Sequence, residues 1–346
     1  MFTEDDLLLR LAPAALAIDA SRSPAPTPLG AVEHDPDAPH AAEVRAALTR
    51  PVPSLPPRWF WGPAATLHRE RARVPDHYPS RVDRELFAQH ASVLVGLFEP
   101  RAIVDLAPAA TRHVRHLADA LQRDRRRARC ALHDWDGPRL VAAVRRLAAD
   151  YPNLDVSGVL GADPSRIGRD SGRLVLMTAG GPDGPEPGSL LQTLRAVAPQ
   201  LGTDDAVVLT VDLGADPDAL VRACRDPDGV AEAMHRAALA SCVEAFGGEI
   251  DPTLFQLEAT WDGHAVATRL RPARPVRLRL PGAGVDVRLD GPIRTGRTAA
   301  WTRPILRRVA ARGGLALGAW LPDPEERRAI VVLRCCAGCG SPDHLL

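Results

Sequence analysis

The amino-acid sequence predicts an α/β protein with a Rossmann-type parallel sheet, an antiparallel C-terminal edge and a second α+β domain. Short apolar strands alternate with helices from residue 102 to residue 212, a pattern typical of a parallel sheet covered by helices on both faces. A last helix (303–312) and a hairpin-like pair of strands (315–321 and 329–335) then return to the sheet as its antiparallel edge.

The N-terminal residues lead up to this alternation. An apolar pattern predicts a short helix over 5–18, and the Pro-, Ala- and Asp-rich stretch 20–40 is predicted to be a loop because it can bury little surface. A longer helix is predicted from Ser80, a suitable N-cap with Asp83 three residues later, and its apolar stripe leads into the core.

The rest of the chain divides into a sheet region and an α+β region. The predicted sheet strands are 102–106, 130–132, 156–160, 173–177 and 206–212, with helices at 111–122, 138–149 and 188–200. Helices at 216–224 and 228–246 and strand-like stretches at 254–261, 264–271, 274–280 and 285–290 follow. The predicted domains are an N-terminal arm (1–78) that joins the second domain, a core (79–213), the second, substrate domain (214–298), a return to the core sheet (299–337) and a tail (338–346).

Composition excludes several classes of function. The chain balances 43 Lys+Arg against 43 Asp+Glu, so no global charge draws it to nucleic acid or to an acidic membrane. It contains no lysine, which excludes a pyridoxal phosphate anchor and the lysine of a Walker phosphate loop. No apolar run reaches the roughly 20 residues of a membrane span, and the N-terminus is acidic. We therefore expect a cytoplasmic protein with a small-molecule substrate.

The cysteines do not follow the pattern of a disulfide framework or of a zinc site. Cys336 and Cys339 form one Cys-x-x-Cys pair beside Cys335, with only His344 nearby, whereas a structural zinc site normally has a second pair. We expect no metal.

Acidic residues stand at the ends of three predicted strands. Asp105, Asp134 and Asp212 each end a strand or follow one closely. Because ligands of open α/β sheets bind beyond the carboxyl ends of the strands, these acids indicate a binding site. An acid at a strand end is equally typical of a cap of the helix that follows.

Several motifs in the chain are similar to those of one enzyme family. They are 55–61 (LPPRWFW), 75–81 (PDHYPSR), 154–161 (LDVSGVLG), 210–213 (TVDL), 228–230 (DGV) and 293–295 (IRT). In order and spacing, about residues 41–335 resemble the histidine-specific Nα-methyltransferases of ergothioneine biosynthesis, which have the class I SAM-dependent methyltransferase fold. The resemblance implies a substrate bound between the core and the second domain.

The loop after the first sheet strand departs from the family pattern. It reads DLAPAAT over 105–111, where the family has a glycine-rich turn that lets the backbone approach the cofactor. Ala107 adds a Cβ, and Pro108 removes a backbone N–H donor. We therefore expect no cofactor. If SAM is used, the resemblance assigns it to Asp105, Ala107, Asp134 and Asp163.

The resemblance also implies an altered amino-acid site. Of the three tyrosines and one asparagine that hold the amino acid in the family, only Tyr78 is retained, and the other positions fall on Trp61, on 180–184 and on Cys224. The Glu and Ser that bind the imidazole are replaced by Gly296 and Thr298, which makes histidine an unexpected substrate. The catalytic candidates are Tyr78, His77 and Asp183.

Arginines stand near these motifs. Arg81 follows Tyr78, and Arg294, Arg297 and Arg303 surround the IRT motif. Guanidinium groups bind carboxylate, sulfate or phosphate groups, but in a chain without lysine these residues are equally typical of a surface. The substrate-binding candidates are Arg81, Trp61, Arg294, Thr295, Arg297 and Thr298.

Three functions are consistent with the sequence. The first is an enzyme of specialised-metabolite biosynthesis that no longer uses SAM and displaces a sulfate-type leaving group with the amine of an amino-acid-derived substrate. Aziridine formation in azinomycin-type pathways is a reaction of this kind, and a small partner subunit could complete such a site. The second is a SAM-dependent N-methyltransferase for an amino acid other than histidine. The third is a catalytically inactive interaction subunit.

Overall fold

A central sheet and a second, smaller set of sheets make up the molecule. The computed structural model describes residues 17–19, 38–61, 64–106, 111–161, 167–168, 171–178 and 186–335. Its strands are β1 (Ala17–Asp19), β2 (Ala102–Asp105), β3 (Ala128–Asp134), β4 (Leu154–Leu160), β5 (Arg173–Thr178), β6 (Ala206–Asp212), β7 (Phe255–Trp261), β8 (Ala265–Pro272), β9 (Val276–Leu280), β10 (Val285–Leu289), β11 (Ile293–Ala299), β12 (Leu315–Pro322) and β13 (Arg328–Cys335). Its α-helices are α1 (Ala38–Leu48), α2 (Ala65–Arg71), α3 (Tyr78–Phe98), α4 (Thr111–Arg123), α5 (Gly137–Asp150), α6 (Pro187–Val197), α7 (Pro217–Arg225), α8 (Val230–Ala245) and α9 (Arg303–Arg312).

The central sheet has eight strands in the order β1-β4-β3-β2-β5-β6-β13-β12. The strands β2 to β6 are parallel, β13 pairs antiparallel with β6, and β12 pairs antiparallel with β13. The order reverses at β2, so the crevice between the loops after β2 and β5 lies at the point where such sheets bind ligands. This architecture confirms the predicted fold class.

Both faces of the central sheet are covered because its strands are apolar on both sides. All seven residues of β6 are buried. Leu174 and Leu176 of β5 face a core built with α3, α4, α5 and α7, whereas Val175 between them faces a second core built with α6 and α9. Continuous apolar strands of this kind are typical of a parallel sheet between two layers of helices.

A third core lies in the second module. The antiparallel sheet β11-β8-β7 and the hairpin of β9 and β10 pack with α1, α8 and the short helix Pro57–Trp61. Within the described residues, no helix is long and apolar enough to cross a membrane. The domain boundaries given above stay a prediction.

The structure differs from the sequence prediction at four elements. Ala17 and Ile18 belong to β1, which pairs with β4, so they are not part of a helix over 5–18, and residues 5–16 lie outside the described part. Residues 38–40, predicted as loop, begin α1. The helix predicted from Ser80 starts at Tyr78, since Pro79 is compatible with a first helical turn. Strand β11 was not predicted because its two arginines and central glycine interrupt the alternation of a strand.

We predict that Gly158→Ala destabilises the core sheet. A Cβ on Gly158 in β4 would lie 2.9 Å from Cγ of Leu140 and 3.1 Å from Cγ2 of Val144, both in α5. We expect the free energy of unfolding in urea to fall by about 1–3 kcal/mol. The matched control is Gly96→Ala in α3, where a Cβ meets nothing within 4 Å, and there we expect a gain of about 0.5–1 kcal/mol. Equal effects of the two substitutions would contradict this packing.

Candidate functional site

A network of buried charges lies where β6 ends between β13 and α3. Arg328, which is 3% exposed, donates from Nε to Oδ1 of Asp83 (2.6 Å) and from Nη1 to Oδ2 of Asp212 (3.3 Å). The same oxygen of Asp212 accepts a hydrogen bond from the hydroxyl of Tyr78 (2.6 Å). Thr210 donates to Oδ2 of Asp83 (3.1 Å). The network therefore fixes a tyrosine hydroxyl at the carboxyl end of the sheet.

Burial and charge set the protonation of this network. Burial raises the pKa of Tyr78 above its ordinary value, and the adjacent carboxylate of Asp212 raises it further, so the phenol keeps its proton. Burial also raises the pKa of Asp212, while Arg328 and Tyr78 oppose this rise. Although burial disfavours the charge of Arg328, the carboxylates of Asp83 and Asp212 raise its pKa.

The turn after β6 requires a glycine. Gly214 has a φ of 65°, and its N–H donates to Oδ1 of Asp212 (2.9 Å). A Cβ at this position would lie 2.5 Å from Cβ of Ala300, where the backbone of the second module approaches β6. The close approach and the left-handed backbone together explain why glycine follows the strand here.

A second strand-end carboxylate lies on the other side of β2. Asp134 ends β3 and is 2% exposed. Its carboxylate accepts hydrogen bonds from Nε of Arg139 (2.7 Å), from Nη2 of the same arginine and from the backbone N–H of Asp136 (3.0 Å). Asp136 in turn caps α5. The carboxylate of Asp134 has the position to accept ligand hydroxyls, and Arg139 occupies it in this structure.

A buried arginine lies near this network, between the two modules. Arg71 ends α2, is 5% exposed, and donates from Nη2 to the carbonyl oxygen of Ala223 in α7 (2.9 Å). Burial lowers the pKa of Arg71, and Cys224 and Asp226 act in the opposite direction. Asp226 is committed elsewhere, because its carboxylate accepts the backbone N–H groups of the first residues of α8.

Three histidines surround this arginine. Burial lowers the pKa of each of these histidines, and the charge of Arg71 lowers it further. The pKa of His68 falls to about 4, and the pKa values of His77 and His235 fall well below the ordinary value of histidine. His235 contacts the hydroxyl of Thr295 through Nδ1 (2.7 Å), while its Nε2 and the Nδ1 of His77 are buried without a hydrogen-bond partner. All three imidazoles are unprotonated at neutral pH.

The structure brings some of the sequence-predicted residues into this region. Tyr78 belongs to the network of Arg328, and the adjacent His77 is affected by the charges of both Arg71 and Arg328. Trp61 stacks on His68 with ring centroids 4.5 Å apart. Thr295 contacts the buried histidine of α8, as described above. Thr298 accepts a weak hydrogen bond from the thiol of Cys224 (3.8 Å).

The predicted arginines have other surroundings. Arg297 forms ion pairs with Asp262 (2.8 Å) and Glu186 (3.2 Å), and Arg81 is exposed beside Glu85 (3.9 Å). Arg294 bonds through its backbone to the segment before the short helix Pro57–Trp61. Arg303 is exposed at the start of α9. These contacts give the four residues structural partners or an exposed position.

Other predictions fall outside the described residues. These are Ala107, Asp163 and Asp183, together with Cys336, Cys339 and His344 of the tail. Asp105 is described and is buried at the end of β2. In the part of the chain that the structure covers, no group of three His, Cys, Asp or Glu side chains could hold a metal ion.

Sequence reasoning missed the residues that organise the site. Asp83 was interpreted as a capping residue, and Arg328, Arg71 and His235 were not considered. One signal was available for Arg328, since it directly precedes the apolar run 329–333 (AIVVL) of a strand that lies beside the strand ending in Asp212. A charge at such a position needs a partner of opposite sign.

Comparison with known proteins gives the family. A model described as "Histidine-specific methyltransferase, SAM-dependent" matches residues 40–335. The histidine N-alpha-methyltransferase of Mycolicibacterium smegmatis is 26% identical over 290 residues, which cover 82% of this chain and 90% of the relative. The histidine N-alpha-methyltransferase of Mycobacterium tuberculosis is 26% identical over 261 residues, which cover 73% of this chain and 81% of the relative.

Solved structures give similar coverage at low identity. A S-adenosylmethionine-dependent methyltransferase from Clostridium acetobutylicum is 10% identical with a TM-score of 0.43, and covers 75% of this chain and 95% of its own. The CcbJ methyltransferase from Streptomyces caelestis is 14% identical with a TM-score of 0.43, and the match covers 82% of this chain and 100% of the CcbJ chain.

The strand order, with a parallel sheet and an antiparallel C-terminal edge, is that of the class I methyltransferase fold. The chain belongs to the histidine-specific, SAM-dependent methyltransferase family. The family match overturns our expectation of no cofactor, because the model that matches residues 40–335 describes SAM-dependent enzymes. The altered loop at 105–111 misled the prediction, since a change in one loop does not outweigh a match along the whole core.

We predict that Asp83→Ala strongly destabilises the protein. The substitution leaves the buried guanidinium of Arg328 with one carboxylate instead of two, and breaking a buried pair in this way costs about 3–5 kcal/mol. Urea unfolding measures the loss. The control is Asp286→Ala, which removes an exposed partner of Arg277 and should leave the free energy of unfolding nearly unchanged. A loss below that of the control would refute the assigned role of Asp83.

We also predict a stability change with pH that is due to His113. Its ring packs on Phe87 (centroids 4.2 Å apart), and burial lowers its pKa to about 4 from 6.5. The unfolded chain binds the proton first, so this contribution is complete above pH 6.5 and is lost as the pH falls toward 4. His113→Phe should make the decline shallower by up to about 1.4 kcal/mol per pH unit in that window. Parallel curves for the two proteins would contradict the shift.

Proposed function

We propose that this protein is a SAM-dependent N-methyltransferase that acts on an amino acid, or an amine derived from one, other than histidine. The observation that carries the proposal is the family match over residues 40–335. SAM, when bound, supplies an electrophilic methyl group.

The described residues are compatible with an adenosyl cofactor at the switch point of the sheet. The carboxylate of Asp134 suits the two ribose hydroxyls, because a carboxylate accepts several hydrogen bonds. Arg139, whose side chain is 20% exposed, already donates to both of its oxygens. Ribose binding therefore requires Arg139 to move or to share the carboxylate.

The chain's own residues provide the polar groups for an amine acceptor. The phenol of Tyr78 is held by Asp212 and lies under the guanidinium of Arg327, whose Cζ is 5.7 Å from the ring centroid. The imidazole of His77 is unprotonated, and its Nδ1 has no hydrogen-bond partner. An unprotonated imidazole can accept a hydrogen bond from a substrate ammonium group. These groups orient the amine.

The strand that carries the IRT motif supports a substrate other than histidine. Strand β11 reads IRTGRTA and offers no carboxylate to pair with an imidazole ring. Thr295 already contacts His235, and Thr298 contacts Cys224. A site without a partner for a polar ring discriminates against that ring by the cost of leaving it unpaired.

Four further expectations from the sequence stay predictions. Displacement of a sulfate-type leaving group, as in aziridine formation, relied on arginines around the IRT motif, and Arg297 is bound to Asp262 and Glu186 instead. No contact among the described residues favours that reaction specifically. A small partner subunit, an inactive interaction subunit and a role in specialised metabolism likewise have no observation of their own.

The proposal is tested by methyl transfer from SAM to a panel of the proteinogenic amino acids and related amines. We expect turnover of at least one compound other than histidine. Tyr78→Phe should lower kcat/KM by roughly tenfold to a hundredfold, since a hydrogen bond to a charged group contributes about 1.5–3 kcal/mol. Transfer to histidine alone would contradict the substrate assignment, and transfer to no compound would contradict the activity.

Asp134→Asn gives a separate test of the cofactor site. The amide cannot accept two hydroxyl donors as the carboxylate does, so the affinity for SAM should fall about tenfold or more. Asp155→Asn is the control, because this exposed acid lies on the neighbouring strand β4. SAM affinities that agree for the two variants would place the ribose away from Asp134.

A further inference from the structure

We propose that Arg71 is an anion-binding residue that anchors the carboxylate of the substrate. The inference rests on the proposed function for the identity of the substrate, but the site itself is argued from contacts among the described residues. It names the substrate class as an amine that carries a carboxylate.

The side chain of Arg71 is buried, and none of the described residues supplies a counter-ion to it. It is 5% exposed, and its one hydrogen bond is to the carbonyl oxygen of Ala223. Its Nε is buried without a partner, and no carboxylate of the described residues lies within salt-bridge distance of the guanidinium. A buried guanidinium costs several kcal/mol in free energy unless an anion pairs with it.

The other arginine of the region shows the contrast. Arg328 is 3% exposed and pairs with two carboxylates, Asp83 and Asp212. The carboxylate that acts most strongly on Arg71, that of Asp226, accepts two backbone N–H groups at the start of α8 instead. Among the described residues, the charge of Arg71 therefore has no carboxylate paired with it.

Two buried imidazoles are within the electrostatic influence of this charge. Nδ1 of His77 and Nε2 of His235 are buried with no hydrogen-bond partner among the described residues, and the charge of Arg71 lowers the pKa of both rings. Native proteins leave few buried polar atoms unpaired, so several in one place indicate a missing ligand. The imidazoles are unprotonated and do not compete with Arg71 for an anion.

The position suits the carboxylate of an amine substrate. Arg71 is bonded to Ala223, the residue before Cys224, and the pKa of the Cys224 thiol responds to the charges of both Arg71 and Asp212, the residue that holds the Tyr78 hydroxyl. A substrate with its carboxylate on Arg71 can place its amine toward His77 and Tyr78. A guanidinium binds a carboxylate with two parallel hydrogen bonds, which also fixes the orientation of the substrate.

The experiment measures anion binding by the full chain in the absence of SAM. Acetate and sulfate are titrated separately at constant ionic strength, and urea unfolding reports saturable stabilisation. We expect acetate to stabilise the wild-type protein, and Arg71→Met to weaken this effect at least tenfold, as expected for the loss of charge-assisted hydrogen bonds. Arg73→Met, which removes an exposed arginine two residues away, should behave as wild type.

The stability of the Arg71→Met variant without added anion separates a binding role of Arg71 from a structural one. Since no described carboxylate pairs with Arg71, Arg71→Met should unfold at the same urea concentration as wild type or a higher one. A lower midpoint together with unchanged acetate binding would overturn the proposal. If Arg71→Met does not fold, Arg71→Lys replaces it: weaker acetate binding in a stable protein supports the proposal, and unchanged binding overturns it.

The remaining outcomes are also decisive. Saturable stabilisation by sulfate but not by acetate would overturn the carboxylate assignment, and no saturable effect of either anion would overturn the site. Acetate binding in a protein that does not bind SAM would leave the Arg71 site intact and refute the proposed methyltransferase instead. SAM binding by a protein that does not bind acetate would refute the Arg71 site and leave the proposed methyltransferase intact.

Discussion

The ion pairs of Arg328 with Asp83 and Asp212 are the interaction on which the candidate site depends. They join the first strand residue of β13 to α3 and to the last residue of β6. A buried guanidinium is tolerated only when its geometry and partners are fixed, so these three elements keep one arrangement. The hydroxyl of Tyr78 lies on the same carboxylate oxygen and takes its position from this arrangement.

The two buried arginines of the region have opposite surroundings. Arg328 has two carboxylates and stabilises the join between the antiparallel edge and the parallel sheet. Arg71 has a carbonyl oxygen and a set of unprotonated histidines. Structural charges are normally paired within the chain, whereas a charge that meets its partner only in a complex is typical of a binding site. This difference separates scaffold from site at the interface of the modules.

Periodicity was sufficient to predict the core sheet, because its strands are apolar on both faces and are separated by regular helices. The bounds of β6 and α9 agree with the prediction to the residue. Strand β11 was missed because it carries arginines and a glycine on a half-exposed surface, where burial gives no pattern.

The candidate site could be predicted less completely than the fold. Tyr78 and the strand-end acids were recognisable because each has a local signal in the sequence. Arg71 and its buried neighbours come from α2, α3, α7 and α8, and only the packing of these helices brings them together. The ion pairs of Arg297 with Asp262 and Glu186 could not be predicted, because both partners are far away in the sequence.

The family match and the switch-point geometry support the same central claim, that this scaffold binds an adenosyl cofactor. The most direct measurement is a calorimetric titration of the full-length protein with S-adenosylhomocysteine, which does not require a known methyl acceptor. The account predicts saturable binding with a Kd on the order of micromolar, equivalent to about −8 kcal/mol. No heat of binding up to millimolar ligand would contradict it.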